Sequence, residues 1–258
     1  MTLLEGMQDA AALAMAVGLT LAIIKSAARL QSSRLLSGAE ARKVTHVGCG
    51  LTFLLSWMTF SNRPEARYWA ATAVALPTIK IFMVGLGLLK DENLVQSMTR
   101  KNELSELLYG PLLYGIVSAA WTVIWWRDSP IGLVGLIALF AGDGCAGFFG
   151  VRYGHVLGTL PHNPNKTWIG SIAFVISTFV VSAPMIFMFN SLGLISNLAP
   201  GHPDVQNPWP MLMKSLVLVS FLSGASESLD VKVSCLDDIR TFHVPRLHVS
   251  TRNECKRL

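Results

Sequence analysis

The sequence predicts an all-α, polytopic integral membrane protein with about six to seven transmembrane helices. Three observations carry this reading. Of 258 residues, 52% are hydrophobic and only 14% are charged, whereas soluble domains run near about 25% charged. The mean hydropathy is +0.47. The apolar residues also gather into separate runs that approach the length needed to cross a hydrocarbon core, about 20 residues.

In chain order, the first run covers residues 10–24 and extends toward 30. The second, 47–60, is short and is expected to be tilted or half-buried. The third, 68–89, is interrupted by Lys80, and the fourth covers 107–126. The fifth, 131–150, carries Asp143, and the sixth covers 168–189. The last, 211–225, carries Lys214 and is the weakest. Trp57, Trp69, Trp125, Trp126, Trp168 and Trp209 stand near the ends of these runs, where amphipathic rings favour the membrane interface. Residues 1–225 are expected to form one membrane-embedded domain. Residues 226–258 form a polar tail without a spanning run, which reads as an atypical or truncated end. The N-terminus has neither the Arg- and Ser-rich, acid-poor character of a transit peptide nor a basic stretch before its first apolar run.

Net charge is +5 and the pI about 9.2. The basic residues sit in short segments between apolar runs, so they set orientation rather than bind nucleic acid. With seven spans, the segments 25–46, 90–106, 151–167 and the tail share one side and hold sixteen Lys or Arg. The other side holds three: Arg63, Arg67 and Arg127. The polar clusters also fall on the basic side, which suggests a site for an anionic, water-soluble ligand beside a lipid. The four cysteines, Cys49, Cys145, Cys235 and Cys255, show no metal-binding spacing.

Asp143 is the most informative residue. It lies within an apolar run, in Gly142-Asp143-Gly144-Cys145-Ala146-Gly147. A carboxylate at the bilayer centre costs about 2.5–3.5 kcal/mol on insertion scales, so it faces a cavity or a partner. One reading pairs it with Lys80 as helix packing. The other makes it a metal or phosphate site, since Mg2+ bridges one or two carboxylates to substrate phosphates. The literal GxGxxG match lacks the strand and helix context of a dinucleotide fold. No P-loop GxxxxGK[ST] occurs. Downstream, Arg152 and Lys166 can clamp phosphates as charge-assisted donors, or belong to a solvated positive loop. Asn163-Pro164-Asn165 favours a turn that folds this loop back. Lys80, inside a run, is a functional candidate or a snorkelling side chain. Arg42, Lys43 and His46 read first as an interfacial anchor.

Together these residues resemble the polyprenol kinase family, and most closely its plant and algal phytol kinase branch. The likeness covers about residues 41–229. It includes Arg42-Lys43-Val44-Thr45-His46, Ser61-Asn62-Arg63-Pro64-Glu65-Ala66-Arg67-Tyr68 and Gly85-Leu86-Gly87. It continues through Glu106-Leu107-Leu108-Tyr109-Gly110-Pro111-Leu112, Trp126-Arg127-Asp128-Ser129-Pro130-Ile131-Gly132, Gly142-Asp143-Gly144 and Asn165-Lys166-Thr167-Trp168-Ile169-Gly170-Ser171. The resemblance implies phosphoryl transfer from CTP or UTP to the hydroxyl of phytol, in plastid membranes, with Mg2+ as cofactor and the product feeding tocopherol synthesis and phytol salvage. It implies Asp143 and Lys166 as catalytic residues and Asp143 and Glu227 as metal ligands. Gly142, Gly144, Arg152, Asn165 and Lys80 would bind nucleotide or phosphate. The expected partners are a lipid alcohol, a nucleoside triphosphate and the membrane, without nucleic acid.

Two departures stand out. Gly147 occupies the place of a second Asp in the family pattern. Asp237-Asp238 is all that resembles the family's acidic C-terminal motif, and the tail's ending implies weak or no activity. The alternatives are a farnesol- or dolichol-type kinase, a membrane cytidylyltransferase, and a small transporter using Lys80 and Asp143 as a coupling pair.

Overall fold

A computed structural model describes residues 3–99, 103–196, 198 and 207–229. The helices are α1 (Leu3–Ser32), α2 (Gly38–Ser56), α3 (Ala66–Gly85), α4 (Glu92–Met98), α5 (Gly110–Ile124), α6 (Pro130–Ile137), α7 (Asp143–Leu157), α8 (Trp168–Ser191) and α9 (Trp209–Ser228). A small antiparallel hairpin, β1 (Thr159–Leu160) with β2 (Asn163–Thr167), separates α7 from α8. Among the described residues, six helical segments are long and apolar enough to cross a membrane: Leu4–Ser32, Ala66–Gly85, Leu104–Ile124, Pro130–Leu157, Trp168–Ser191 and Trp209–Ser228. The chain is thus an all-α polytopic membrane protein. The Asp237-Asp238 pair, Cys235, Cys255 and Arg100 lie outside the described residues.

α2 is absent from that set because its first turns carry Glu40, Arg42 and Lys43. It nevertheless runs between the same two ends of the bundle as its neighbours. At one end, the chain after α2 meets the start of α1 and the α5–α6 turn. There Asp9 accepts from Ser61 N at 2.7 Å and from Ser61 Oγ at 2.9 Å. Arg67 and Asp128 lie 3.9 Å apart at the same end. At the other end, the first turns of α2 meet α7. The helix begins nine residues before its apolar stretch because Ser37 caps it. Ser37 accepts from Glu40 N while Glu40 accepts from Ser37 N, a reciprocal pair that satisfies two otherwise unpaired amides.

Several predicted features are corrected. α1 is a single 30-residue helix, so Lys25 belongs to a helix and not to a loop. Arg152 likewise lies within α7. Trp57 and Trp126 are buried, at 0% and 4% exposure, and do not sit at the interface. They pack 4.6 Å apart between ring centroids, within a core shared with Phe60, Phe140 and Phe189. Trp126 is drawn inward because Arg127 next to it is buried. The Arg127 guanidinium donates to the carbonyls of Trp57, Phe60 and Ser61 and to Asn62 Oδ1. Burial holds it below the ordinary arginine range.

Close helix contacts in the remaining bundle rest on small residues, as expected where lipid supplies no hydrophobic drive between helices. A Cβ on Gly150 would stand 3.5 Å from Gly170 Cα, and one on Gly154 would stand 2.6 Å from Thr167 Cγ2. α7 and α8 therefore touch nearly backbone to backbone. Pro77 in α3 and Pro184 in α8 sit inside helices, a tolerated placement within membranes because neighbouring groups satisfy the freed carbonyls.

Candidate functional site

α6 and α7 form one continuous segment, Pro130–Leu157, interrupted by a single widened turn at Ala138–Gly142. In an α-helix the N–H of Asp143 would bond four residues back, to Leu139. Here it bonds to the Ala138 carbonyl. The Leu139 carbonyl instead lies 3.1 Å from His46 Nε2. Turns of this kind inside α-helices recur at functional sites. Asp143 lies thirteen residues beyond Pro130, about 20 Å along this segment.

Asp143 Oδ2 lies 3.3 Å from Lys43 Nζ and 3.5 Å from His46 Nε2. Its side chain is 39% exposed. Lys43 and His46 stand three residues apart on α2 and therefore share a face. They reach Asp143 because α7 carries no side chains opposite them. A Cβ on Gly144 would stand 2.2 Å from Val47 Cγ2 and 3.2 Å from His46 Cδ2. A Cβ on Gly147 would stand 2.3 Å from Lys43 Cε. At the position of the expected second Asp, the Lys43 stem fills the space. Gly142 faces α8, where a Cβ would stand 2.6 Å from Thr178 Oγ1.

Each of the other predicted basic residues stands beside a carboxylate other than Asp143. Lys166 on β2 pairs directly with Glu227 on α9. Arg152 Nη1 lies 2.7 Å from Glu40 Oε1. Lys80 Nζ lies 2.7 Å from Asp91 Oδ2, so it is paired there and not packed against Asp143. Asp91 also caps α4 through Leu94 N at 3.0 Å. The hydrogen bond from Lys80 holds the Asp91 carboxyl below its usual range.

The hairpin folds back at Pro161 and His162, and Asn163-Pro164-Asn165, expected to make the turn, lies instead in β2; Gly158 at φ +74° leads into the hairpin, a backbone conformation suited to glycine. Asn165 is exposed there, its N–H donating to Asn163 Oδ1 at 3.0 Å. Asn163 is buried and donates to the Ser228 carbonyl at 3.0 Å. His162 Nε2 lies 3.0 Å from Ser228 Oγ. The hairpin is thus clasped to the end of α9. Among the described residues, no three of His, Cys, Asp and Glu gather as a metal cluster.

Lys43 and His46 were not expected at the site, having read as an interfacial anchor. The signal that could have found them is the matched spacing of Lys43/His46 on one helix and Gly144/Gly147 on another, both i, i+3.

Fold and site together define a polytopic membrane protein with an exposed carboxylate and several paired cations at one end of its bundle. No family model matches the chain, and no solved structure does. Among curated proteins, it is 37% identical over 233 residues to a probable chloroplastic phytol kinase 1 of Oryza sativa subsp. japonica, covering 90% of this chain and 70% of that one. It is 37% identical to a probable chloroplastic phytol kinase of Zea mays, covering 90% and 73%. It is 31% identical to phytol kinase 1, chloroplastic, of Arabidopsis thaliana, covering 90% and 73%. The chain belongs to the phytol kinase family. It is a transferase of the kinase class and a multi-pass membrane protein of the chloroplast.

Proposed function

We propose that this kinase transfers the γ-phosphoryl group of CTP, or of UTP, to the hydroxyl of phytol, giving phytyl phosphate for tocopherol synthesis and phytol salvage. The observation that supports it most is the reach of Lys43 and His46 to an exposed Asp143 inside an apolar helix, in a chain whose relatives are named phytol kinases. A carboxylate so placed is at the depth where a lipid hydroxyl and a water-soluble nucleotide can meet. The kinase unit is residues 1–225 with the last turn of α9, which brings Glu227.

Phosphoryl transfer asks the protein mainly for positioning and charge stabilisation. Lys166 and Arg152 bind the triphosphate by exchanging Glu227 and Glu40 for phosphate oxygens, a trade between partners of like charge. Asn165 and Lys80 add donors at the same end, and Gly142 and Gly144 admit α8 and α2 so closely that the carboxylate and its partners hold their places. Mg2+ commonly takes one or two carboxylates together with substrate phosphates. Asp143, whose two contacts both fall on Oδ2, and Glu227, once released by Lys166, fit that donor set. Bound there, the metal would supply neutralisation of the charge on the phosphates.

The test uses membranes carrying the full chain, with γ- or α-labelled CTP, UTP or ATP, and phytol, farnesol or dolichol. The expected result is γ-label in phytyl phosphate with CTP or UTP. Label entering no lipid would overturn the reading. α-Label in a lipid would indicate a cytidylyltransferase, and preference for farnesol or dolichol would reassign the acceptor.

A further inference from the structure

We propose that His46 is the positioning residue for Asp143, acting through one proton shared between the widened turn and the carboxylate. The inference rests on the kinase reading of the site. His46 Nε2 faces the Leu139 carbonyl at 3.1 Å and Asp143 Oδ2 at 3.5 Å. Both atoms are acceptors only, so Nε2 carries the proton.

The Leu139 carbonyl does not receive the N–H an α-helix would give it, because the Asp143 N–H has gone to Ala138. A single N–H therefore faces two groups: it bonds the carbonyl whose α-helical donor the widened turn took away, and it stands in ion-pair range of one oxygen of the carboxylate that this turn presents. The shape of the helix and the aim of Asp143 are set together. Oδ1 takes part in neither this contact nor the Lys43 contact, which leaves it for substrate.

The ring is held in one orientation from two sides. Tyr114 on α5 packs against it with centroids 4.5 Å apart, and Tyr114 in turn packs on Phe140 of the widened turn at 5.4 Å. From the other side, a Cβ on Gly144 would stand 3.2 Å from His46 Cδ2, so its absence lets α7 close on the ring. Lys43 reaches the same oxygen, but as a compact charge on a flexible stem it fixes no direction. His46 supplies the direction.

The experiment replaces His46 in the full chain with Ala, Asn or Gln, and measures lipid phosphate formed per inserted protein at varied nucleotide concentration. A Gln amide extends about as far as Nε2 and offers a donor there, while Asn ends near the level of Nδ1. His46→Ala and His46→Asn should lower kcat about 10–100-fold, the usual loss when a group orienting a functional ligand is removed, with nucleotide KM little changed. His46→Gln should recover most of that loss. Equal kcat for the Asn and Gln variants, parental kcat in the Ala variant, or a loss falling wholly in KM overturns the assignment. If the parent chain itself forms no lipid phosphate, it is the kinase reading that fails.

Discussion

Gly144→Ala tests the close approach on which the site depends. The added Cβ would stand 2.2 Å from Val47 Cγ2, against a carbon–carbon optimum of about 3.5–4.0 Å. The overlap exceeds an ångström, and Val47 is too short and stiff at χ1 to swing clear. α2 must back away from α7 by a comparable distance. Lys43 and His46 ride on α2 near Val47, and their contacts of 3.3 and 3.5 Å with Asp143 would open by a similar amount. A misplacement of about 1 Å can cost on the order of 100-fold in rate, so kcat should fall by about that factor. Overpacking should also cost about 1–3 kcal/mol of stability. The control is Gly18→Ala, where a Cβ meets nothing within 4 Å and turnover should hold. The assay is lipid phosphate formed per inserted protein, with melting in detergent alongside. A Gly144→Ala chain with parental kcat would refute the packing account. A loss confined to nucleotide KM would make Gly144 a phosphate contact instead.

Asp143→Asn keeps the shape of the side chain and removes its charge. It should abolish phosphoryl transfer with insertion intact, and near-parental turnover in saturating Mg2+ would make Asp143 structural. Arg127→Met orphans three carbonyls that the guanidinium now satisfies. At about 1 kcal/mol or more for each buried unsatisfied group, it should lower Tm clearly, and an unchanged Tm would show that these carbonyls find other donors. The Asp91 carboxyl is held below its ordinary value of 3.8 by Lys80. Its contribution to the α3–α4 junction is therefore present above that pH and lost as pH falls through the lower folded value. Hydrogen exchange of the α4 amides should accelerate only in strong acid and lose that pH dependence in Asp91→Ala, whereas loss of protection near neutral pH would contradict the assignment.

The spanning helices were legible because lipid demands long apolar runs, and that demand is written locally. α2 was only half legible, since its start depends on the Ser37–Glu40 cap and its charged first turns mask its length. Trp57 and Trp126 were misplaced for a related reason. Position near a span end usually means interface, but the buried Arg127 draws carbonyls and rings inward there, with its guanidinium 5.3 Å from the Trp126 ring centroid. Asp143 was legible as an ion inside an apolar run. Its partners were not, because Lys43 lies 100 residues away and Lys80 looked like the nearer cation in the membrane. That the chain folds back before α8 could be read from local chemistry, although the turn falls at Pro161 and His162 with Asn163-Pro164-Asn165 in the following strand, while the hairpin's clasp to Glu227 and Ser228 joins residues more than sixty apart. Nothing in a local pattern encodes that junction.

The clasp has a consequence for biogenesis. Chains acquire structure from the N-terminus onward as they are made, and α9 is the last described helix to emerge. Before it inserts, Asp143 already has Lys43 and His46 beside it, but Lys166, His162 and the buried Asn163 have no partner on α9. A nascent chain halted before Trp209 should therefore present the hairpin to a protease that cannot cut it in the full chain. Equal protection in both would mean the hairpin closes without α9. Closure of the hairpin thus waits on α9, so under the proposed function a partly made chain would carry the carboxylate in place and yet lack its grip on a triphosphate.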